Sequence, residues 1–179
     1  MNAVVINISA AVLVVICAVV VFRRVARDYE RLGRLTTCST SLEVLIFVMQ
    51  GMTAGLYLGT DLTSGWLLVL AIGCTAAGLI MLFAAMGGLG MRKSVGQEVS
   101  GLKETGWYRY TRNPQLVAYG LIVLGITLCL PSWWALVWLG LYGVIAALMV
   151  RTEEAHLRRV YGAEYERYCQ RVPRYLMFR

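Results

Sequence analysis

From Ala3 to Phe22 the chain runs 20 residues without a charge, and a stretch of that kind leaves few folds open. At about 1.5 Å of rise per residue, roughly 20 apolar residues in a helix cross the ~30 Å hydrocarbon core of a bilayer with every backbone N–H and C=O satisfied internally. Comparable apolar stretches follow at residues 42–60, 66 to about 90, 116–130 and 133–150. With 59% of its 179 residues hydrophobic and 15% charged, the chain is too apolar for a soluble domain of this size. The sequence therefore predicts an all-α integral membrane protein of one domain, 1–179, with five transmembrane helices. Residues 1–90 would form a three-span scaffold, and residues 91–179 would supply a polar loop, a C-terminal helical hairpin and an amphipathic helix on the cytoplasmic side. The first span lacks a basic leading region, and Arg23 and Arg24 follow it directly, so it reads as a retained helix rather than a cleaved signal.

The basic residues fix an expected orientation. Five arginines lie in an expected polar loop, 23–41, five lysines and arginines in the central loop 91–115, and seven after Val150, which accounts for all 17. The turns at 61–64 and at 131–132 hold none. The positive-inside rule then predicts the N-terminus outside, with the C-terminus and both longer polar stretches in the cytoplasm. The net charge of +7 becomes a juxtamembrane attraction to the anionic headgroups of the bilayer. No basic segment stands free as a nucleic-acid-binding domain.

Within the spans, Gly51, Gly55 and Gly59 recur at four-residue steps and predict a face for close helix packing. Glu43, within a turn of the interface, is expected to snorkel to water, whereas Gln50 lies deeper and needs a partner that the sequence does not identify. The five cysteines stand singly, with no CxxC or Cys/His spacing, which supports neither a disulfide framework nor a metal site. The lone histidine, His156, is expected to be a surface residue rather than a catalyst.

Two polar stretches carry more information. The first is GWYRYTRNP, from Gly106 to Pro114, leading straight into an apolar span. Arg109 and Arg112 would each cost about 2.5–3.5 kcal/mol at a bilayer centre, so this segment belongs at the interface or in a polar cavity. Pro114 suits a first helical turn, and the free N–H groups and positive dipole end of a helix N-terminus suit an anionic ligand group. The second begins at Arg151. There Leu157, Val160, Tyr161, Tyr165, Tyr168 and Val172 recur at three- and four-residue steps, predicting an amphipathic helix that continues from the fifth span to Pro173. It either lies on the headgroups or folds back over the central loop. Glu153 and Glu154 favour the second position, because adjacent carboxylates leaving a membrane need cations or donors to meet them.

The stretches SGLKETGWYRYTRNPQ and RTEEAHLRRVYGAEYERYCQRVPRY together resemble the isoprenylcysteine carboxyl methyltransferase and phospholipid N-methyltransferase group of membrane enzymes. In that group G-x-Y-x-x-x-R-H-P-x-Y-x-G precedes a helical hairpin, and E-E-x-x-L, a Tyr-x-x-Tyr and Arg-Val-Pro follow it. The likeness covers about residues 94 to 174; the first three spans agree in hydropathy only. It implies an S-adenosylmethionine-dependent methyltransferase acting on a lipophilic acceptor such as a prenylated carboxylate or an aminolipid. Cofactor contacts are implied for Ser100, Gly101, Leu102, Lys103, Tyr108, Asn113, Pro114, Gln115, Leu116 and Glu153. Arg112 and Asn113 would lie nearest the chemistry, and Arg112, Ala118 and Glu154 toward the substrate. Two roles stay open for Arg112: an ion pair to Glu154 that closes the loop, or an anchor for an anionic headgroup.

Asn113, Leu116 and Ala118 stand where the group usually has histidine, tyrosine and glycine. Asparagine keeps a donor and an acceptor but cannot titrate. Two other classes of function remain in view. One is a nicotinamide-dependent reductase, since membrane sterol reductases resemble this group in their C-terminal half, although the chain has no G-x-G-x-x-G. The other is a non-catalytic membrane interaction protein that keeps the fold.

Overall fold

The first apolar run forms a helix that does not stop where the charges begin. In the computed structural model, which describes residues 2–89, 101–102 and 104–176 (88 and 89 by their backbone alone), helix α1 spans Ala3–Leu32. The arginine-rich stretch expected as a loop is thus mostly helix, because Arg and Glu are good helix formers and need only lie beyond the bilayer. Gly33, at φ 65°, ends it in the left-handed conformation that glycine adopts without a Cβ clash. Thr36 then caps α2 (Thr37–Met52), accepting from the Ser39 N–H at 3.2 Å. Asp28 ties the two helices together by accepting from the Thr36 and Ser39 hydroxyls, each at 2.6 Å.

After α2 come a single turn α3 (Ala54–Tyr57), α4 (Gly65–Leu89), a 3-10 turn at Gly106–Arg109, α5 (Pro114–Cys129), α6 (Trp133–Tyr161) and α7 (Ala163–Arg171). No β-strand occurs among the described residues. Among the described residues, four segments are long and apolar enough to cross a membrane: Ala3–Leu32, Thr37–Tyr57, Gly65–Gly87 and Trp133–Tyr161. Helix α5 is apolar but has 16 residues, about 24 Å at 1.5 Å each. Trp66, Phe83 and Trp133 each stand more than two-thirds exposed, a surface that lipid tolerates and water does not. The amphipathic segment expected to run unbroken to Pro173 instead breaks at Gly162, whose φ of 49° and ψ of −121° end α6 and let α7 turn back.

Close packing falls on α4 and α5. A Cβ on Gly78 would sit 2.6 Å from the Ala118 carbonyl oxygen, and one on Gly125 would meet the Thr75 hydroxyl and, at 2.6 Å, the Ala71 carbonyl oxygen. The glycine series of the second span does not make such a face: Gly51 has only the Tyr119 hydroxyl at 3.8 Å, and Gly55 has nothing within 4 Å. The helix breaks at Thr53, so Gly59 leaves the periodicity and packs instead on the Pro131 backbone in the hairpin turn.

Helices α1, α2 and α6 form the other layer, around Val14, Ala18, Phe22, Ile46 and Ile145. Gln50 lies fully buried in it, its side-chain oxygen accepting from the Tyr119 hydroxyl at 2.9 Å and its carbonyl from the Trp138 indole at 2.8 Å.

Candidate functional site

Where α5 begins and α6 ends, the loop of residues 104–113 is bolted to the chain's C-terminal segment. The Arg112 N–H donates to the Pro173 carbonyl, and the Thr111 hydroxyl and the Asn113 side-chain amide both donate to the Arg174 carbonyl, each at 3.0 Å. Helix α7 closes over this loop. Tyr165 and Tyr168, three residues apart and so on one helix face, are almost fully buried with Val172 against Leu102. The Tyr168 hydroxyl donates to the Tyr108 carbonyl at 2.7 Å, and Arg171 holds both oxygens of Glu104 at 3.0 and 2.9 Å. Of the two positions open to the amphipathic segment, α7 takes the one over the loop. Burial, and the negative Glu153 nearby, push the Tyr108 phenol above its ordinary value.

The two adjacent glutamates behave differently. Glu154 is 2% exposed and collects three arginines. Arg112 meets it at 3.0 Å, Arg174 grips both its oxygens at 2.9 and 2.6 Å, and Arg158, one turn on, reaches it at 3.4 Å. Arg112 also donates to the Cys169 sulfur at 2.8 Å and to the Tyr165 hydroxyl at 3.4 Å. The pair with Glu154 is the first of the two roles open to Arg112, and a buried carboxylate with this many charge-assisted partners is compensated for its lost hydration.

Glu153, about 100° around the helix, takes none of these cations. It is partly buried, its charge helps to raise the Tyr108 phenol in the loop, and its helix packs on α1 and α2.

Two expectations fail in this region. Glu43 does not snorkel: it is 5% exposed with its Oε1 unpartnered, because its position on α2 faces the bundle rather than the headgroups. His156 is not a surface residue. It is 4% exposed and stacks on the Tyr29 ring at 4.0 Å and 14° from parallel, both ring nitrogens without a partner.

Pro114 fills the first turn of α5, and Asn113 precedes it, its amide committed to Arg174. Leu116 is buried against Ala146 and Val150, with its carbonyl accepting from the Tyr142 hydroxyl. Ala118 is fully buried on the α4 side of α5, against Gly78. Gln115 Nε2 and Arg112 Nε are buried without partners. Gly101, at φ 74°, makes a left-handed turn beside Leu102, while Ser100 and Lys103 lie outside the described residues.

Thus Leu102, Tyr108, Arg112, Asn113, Gln115, Glu153 and Glu154 gather around one end of the bundle, and Ala118 faces away into the helix seam. Sequence reasoning did not find Arg174 and Cys169 as partners of the loop, or Tyr29 as the partner of His156. Arg174 left a local signal, standing directly after the Arg-Val-Pro of the tail, and Tyr165 left one as the first tyrosine of the Tyr-x-x-Tyr.

A family model described as phospholipid methyltransferase matches residues 49–164, more than half of the chain. The match takes in the last turn of α2, α3, α4, the loop, the α5–α6 hairpin and both glutamates, and leaves α1 and most of α7 outside. No curated protein and no solved structure matches the chain.

Proposed function

We propose, from the premise that the chain belongs to the phospholipid methyltransferase family, that it transfers a methyl group from S-adenosylmethionine to a lipophilic acceptor at the arginine-rich end of the bundle. The observation that carries this reading is the contrast between the glutamates. Glu154 is saturated by three arginines, while Glu153, near Tyr108, pairs with no cation among the described residues.

The polar half of the cofactor carries an ammonium and ribose hydroxyls that seek a carboxylate, and a carboxylate that seeks N–H donors; its adenine seeks aromatic or apolar walls. Glu153 fits the first need, the unpartnered Gln115 Nε2 and Arg112 Nε the second, and Tyr108 with Leu102 the third. When bound, the cofactor supplies an already activated methyl group, so the residues around it need only hold acceptor and donor at about 3–3.5 Å and exclude water. Tyr165 and Tyr168, closing α7 over the loop, are placed for the exclusion. Arg112 and Glu154 lock the loop, and Asn113, unable to titrate, positions the start of α5. The acceptor, a prenylated carboxylate or an aminolipid in the family-level reading, would enter sideways from the bilayer, and the cofactor from the cytoplasm.

Thermal unfolding of the detergent-solubilised protein with S-adenosylmethionine, S-adenosylhomocysteine or NADPH tests the reading. A ligand at 100 times its dissociation constant adds about 2.7 kcal/mol. Stabilisation by either S-adenosyl compound is expected. Stabilisation by NADPH alone would replace the reading with a reductase, and no response to any would favour a non-catalytic membrane protein.

A further inference from the structure

Helix α1 has two distinct faces along its whole length. At about 100° per residue, Val14, Ala18, Val21, Phe22, Val25 and Tyr29 fall together, and all six are buried. On the opposite side Val12, Leu13, Ile16 and Val20 stand exposed, within an arc of roughly 100° that suits contact with lipid tails. Past Phe22 the same arc holds Arg23, Arg27 and Arg31, each exposed and one turn from the next. These arginines therefore extend the lipid-facing surface of the helix and not its packed one.

Most cations at this end of the bundle are already spent. Arg112, Arg158 and Arg174 hold Glu154, Arg171 holds Glu104, and Arg24, on the flank of the arc, donates to the Ser39 hydroxyl. Glu30 borders the arc, but Arg159 meets it at 3.5 Å. Arg23, Arg27 and Arg31 have no acidic partner among the described residues.

Their depth is set by the apolar run before them. Residues 3–22 carry no charge, and 20 residues of helix measure about 30 Å, the thickness of the hydrocarbon core. Arg23 then stands at the inner edge of the headgroup layer, with Arg27 about 6 Å and Arg31 about 12 Å farther along the axis. Side chains on a helix lean toward its N-terminus, which beyond Phe22 means back toward the membrane. A guanidinium meets a phosphate through two parallel hydrogen bonds. A headgroup that also carries an ammonium would face repulsion from the row, so a net negative headgroup is favoured.

We propose that Arg23, Arg27 and Arg31 form a binding site for anionic phospholipid headgroups in the leaflet at which α1 leaves the membrane. The site is local, unlike the diffuse attraction exerted by the net charge of +7. It lies outside residues 49–164, which the family model matches, and it holds whether or not the chain transfers methyl groups.

The test titrates the detergent-solubilised full chain with fluorescent phosphatidylglycerol, whose headgroup has neither the amine nor the carboxylate of a methyl acceptor. Phosphatidylcholine with the same label and chains, and glycerol 3-phosphate as competitor, are the comparison probes. Wild type should prefer phosphatidylglycerol to phosphatidylcholine by about tenfold or more, and glycerol 3-phosphate should compete poorly. A basic residue beside an anionic surface contributes about fivefold, so Arg27→Gln should weaken phosphatidylglycerol about fivefold and Arg23→Gln with Arg27→Gln about twentyfold. Removing the same charge elsewhere, by Arg151→Gln with Arg167→Gln, should change the affinity by less than about threefold. All these side chains are exposed, so unfolding midpoints should stay near that of wild type. Equal losses in the two double variants would reduce the effect to net charge and overturn the proposal. Equal wild-type affinity for the two lipids would overturn it too, as would glycerol 3-phosphate competing as well as the lipid, which would make this a site for free phosphate.

Discussion

Arg112, in the loop before α5, and Glu154, near the end of α6, meet at 3.0 Å with 7% and 3% of their side chains exposed. The contact joins the loop to the helix that carries Glu153, and Arg174 closes the same carboxylate from the tail. Because both partners of the first pair are dry, removing one leaves a buried charge without compensation.

Glu154→Gln is therefore expected to destabilise the protein by about 3–5 kcal/mol, the range for breaking a buried ion pair. Glu153→Gln should cost far less, since Glu153 pairs with no cation among the described residues. Combining Arg112→Ala with Glu154→Gln should cost less than the two single changes added together. Thermal unfolding in detergent measures all of these, and equal midpoints for the two glutamine variants would contradict the assignment.

The α4–α5 seam makes a second contrast. Gly125→Ala drives a methyl group into the Ala71 carbonyl, 2.6 Å away, and the Thr75 hydroxyl, and should cost about 1–3 kcal/mol, as overpacking does. Gly55→Ala, with nothing within 4 Å of the added carbon, should be tolerated within about 0.5 kcal/mol. The same unfolding assay checks this, and the reverse order would mean that the second-span glycines make the close contact after all.

The glycine outcome shows where the sequence was readable and where it was not. Hydropathy gave the apolar helices, four of them long enough to cross a membrane and α5 shorter, and the Pro131–Ser132 hairpin, because burying backbone in lipid permits little except helices. Motif spacing gave the loop, its neighbour α6 and the two glutamates. Neither says which neighbour a helix face meets. Glu43 looked able to snorkel because its height along α2 is visible in sequence and its azimuth against α6 is not. His156 looked solvated because nothing local links it to Tyr29, on a helix far upstream. The arginines after Phe22 looked like a loop because charge ends a span, yet it does not end a helix.

The closing of α7 gives a third prediction. Tyr168→Phe removes the hydroxyl that holds the Tyr108 carbonyl, a hydrogen bond with a net contribution of about 1 kcal/mol. Amide hydrogen exchange should quicken in residues 104–112 and stay unchanged in α1. Exchange that is unaltered in the loop would show that α7 does not restrain it.

Orientation is tested by labelling. In a cysteine-free background, Asp61→Cys should react with an impermeant reagent from outside intact cells, and Thr105→Cys only after the membrane is opened. Outside labelling of position 105 would invert the topology drawn from the basic residues.

The central claim is that an S-adenosyl cofactor sits against Glu153, and calorimetric titration with S-adenosylhomocysteine of wild type, Glu153→Gln and Glu154→Gln tests it most directly. A charge-assisted hydrogen bond of about 1.5–3 kcal/mol is at stake, so Glu153→Gln should bind roughly ten- to more than hundredfold more weakly than wild type while remaining folded. Binding by Glu153→Gln as tight as that of wild type would contradict the claim.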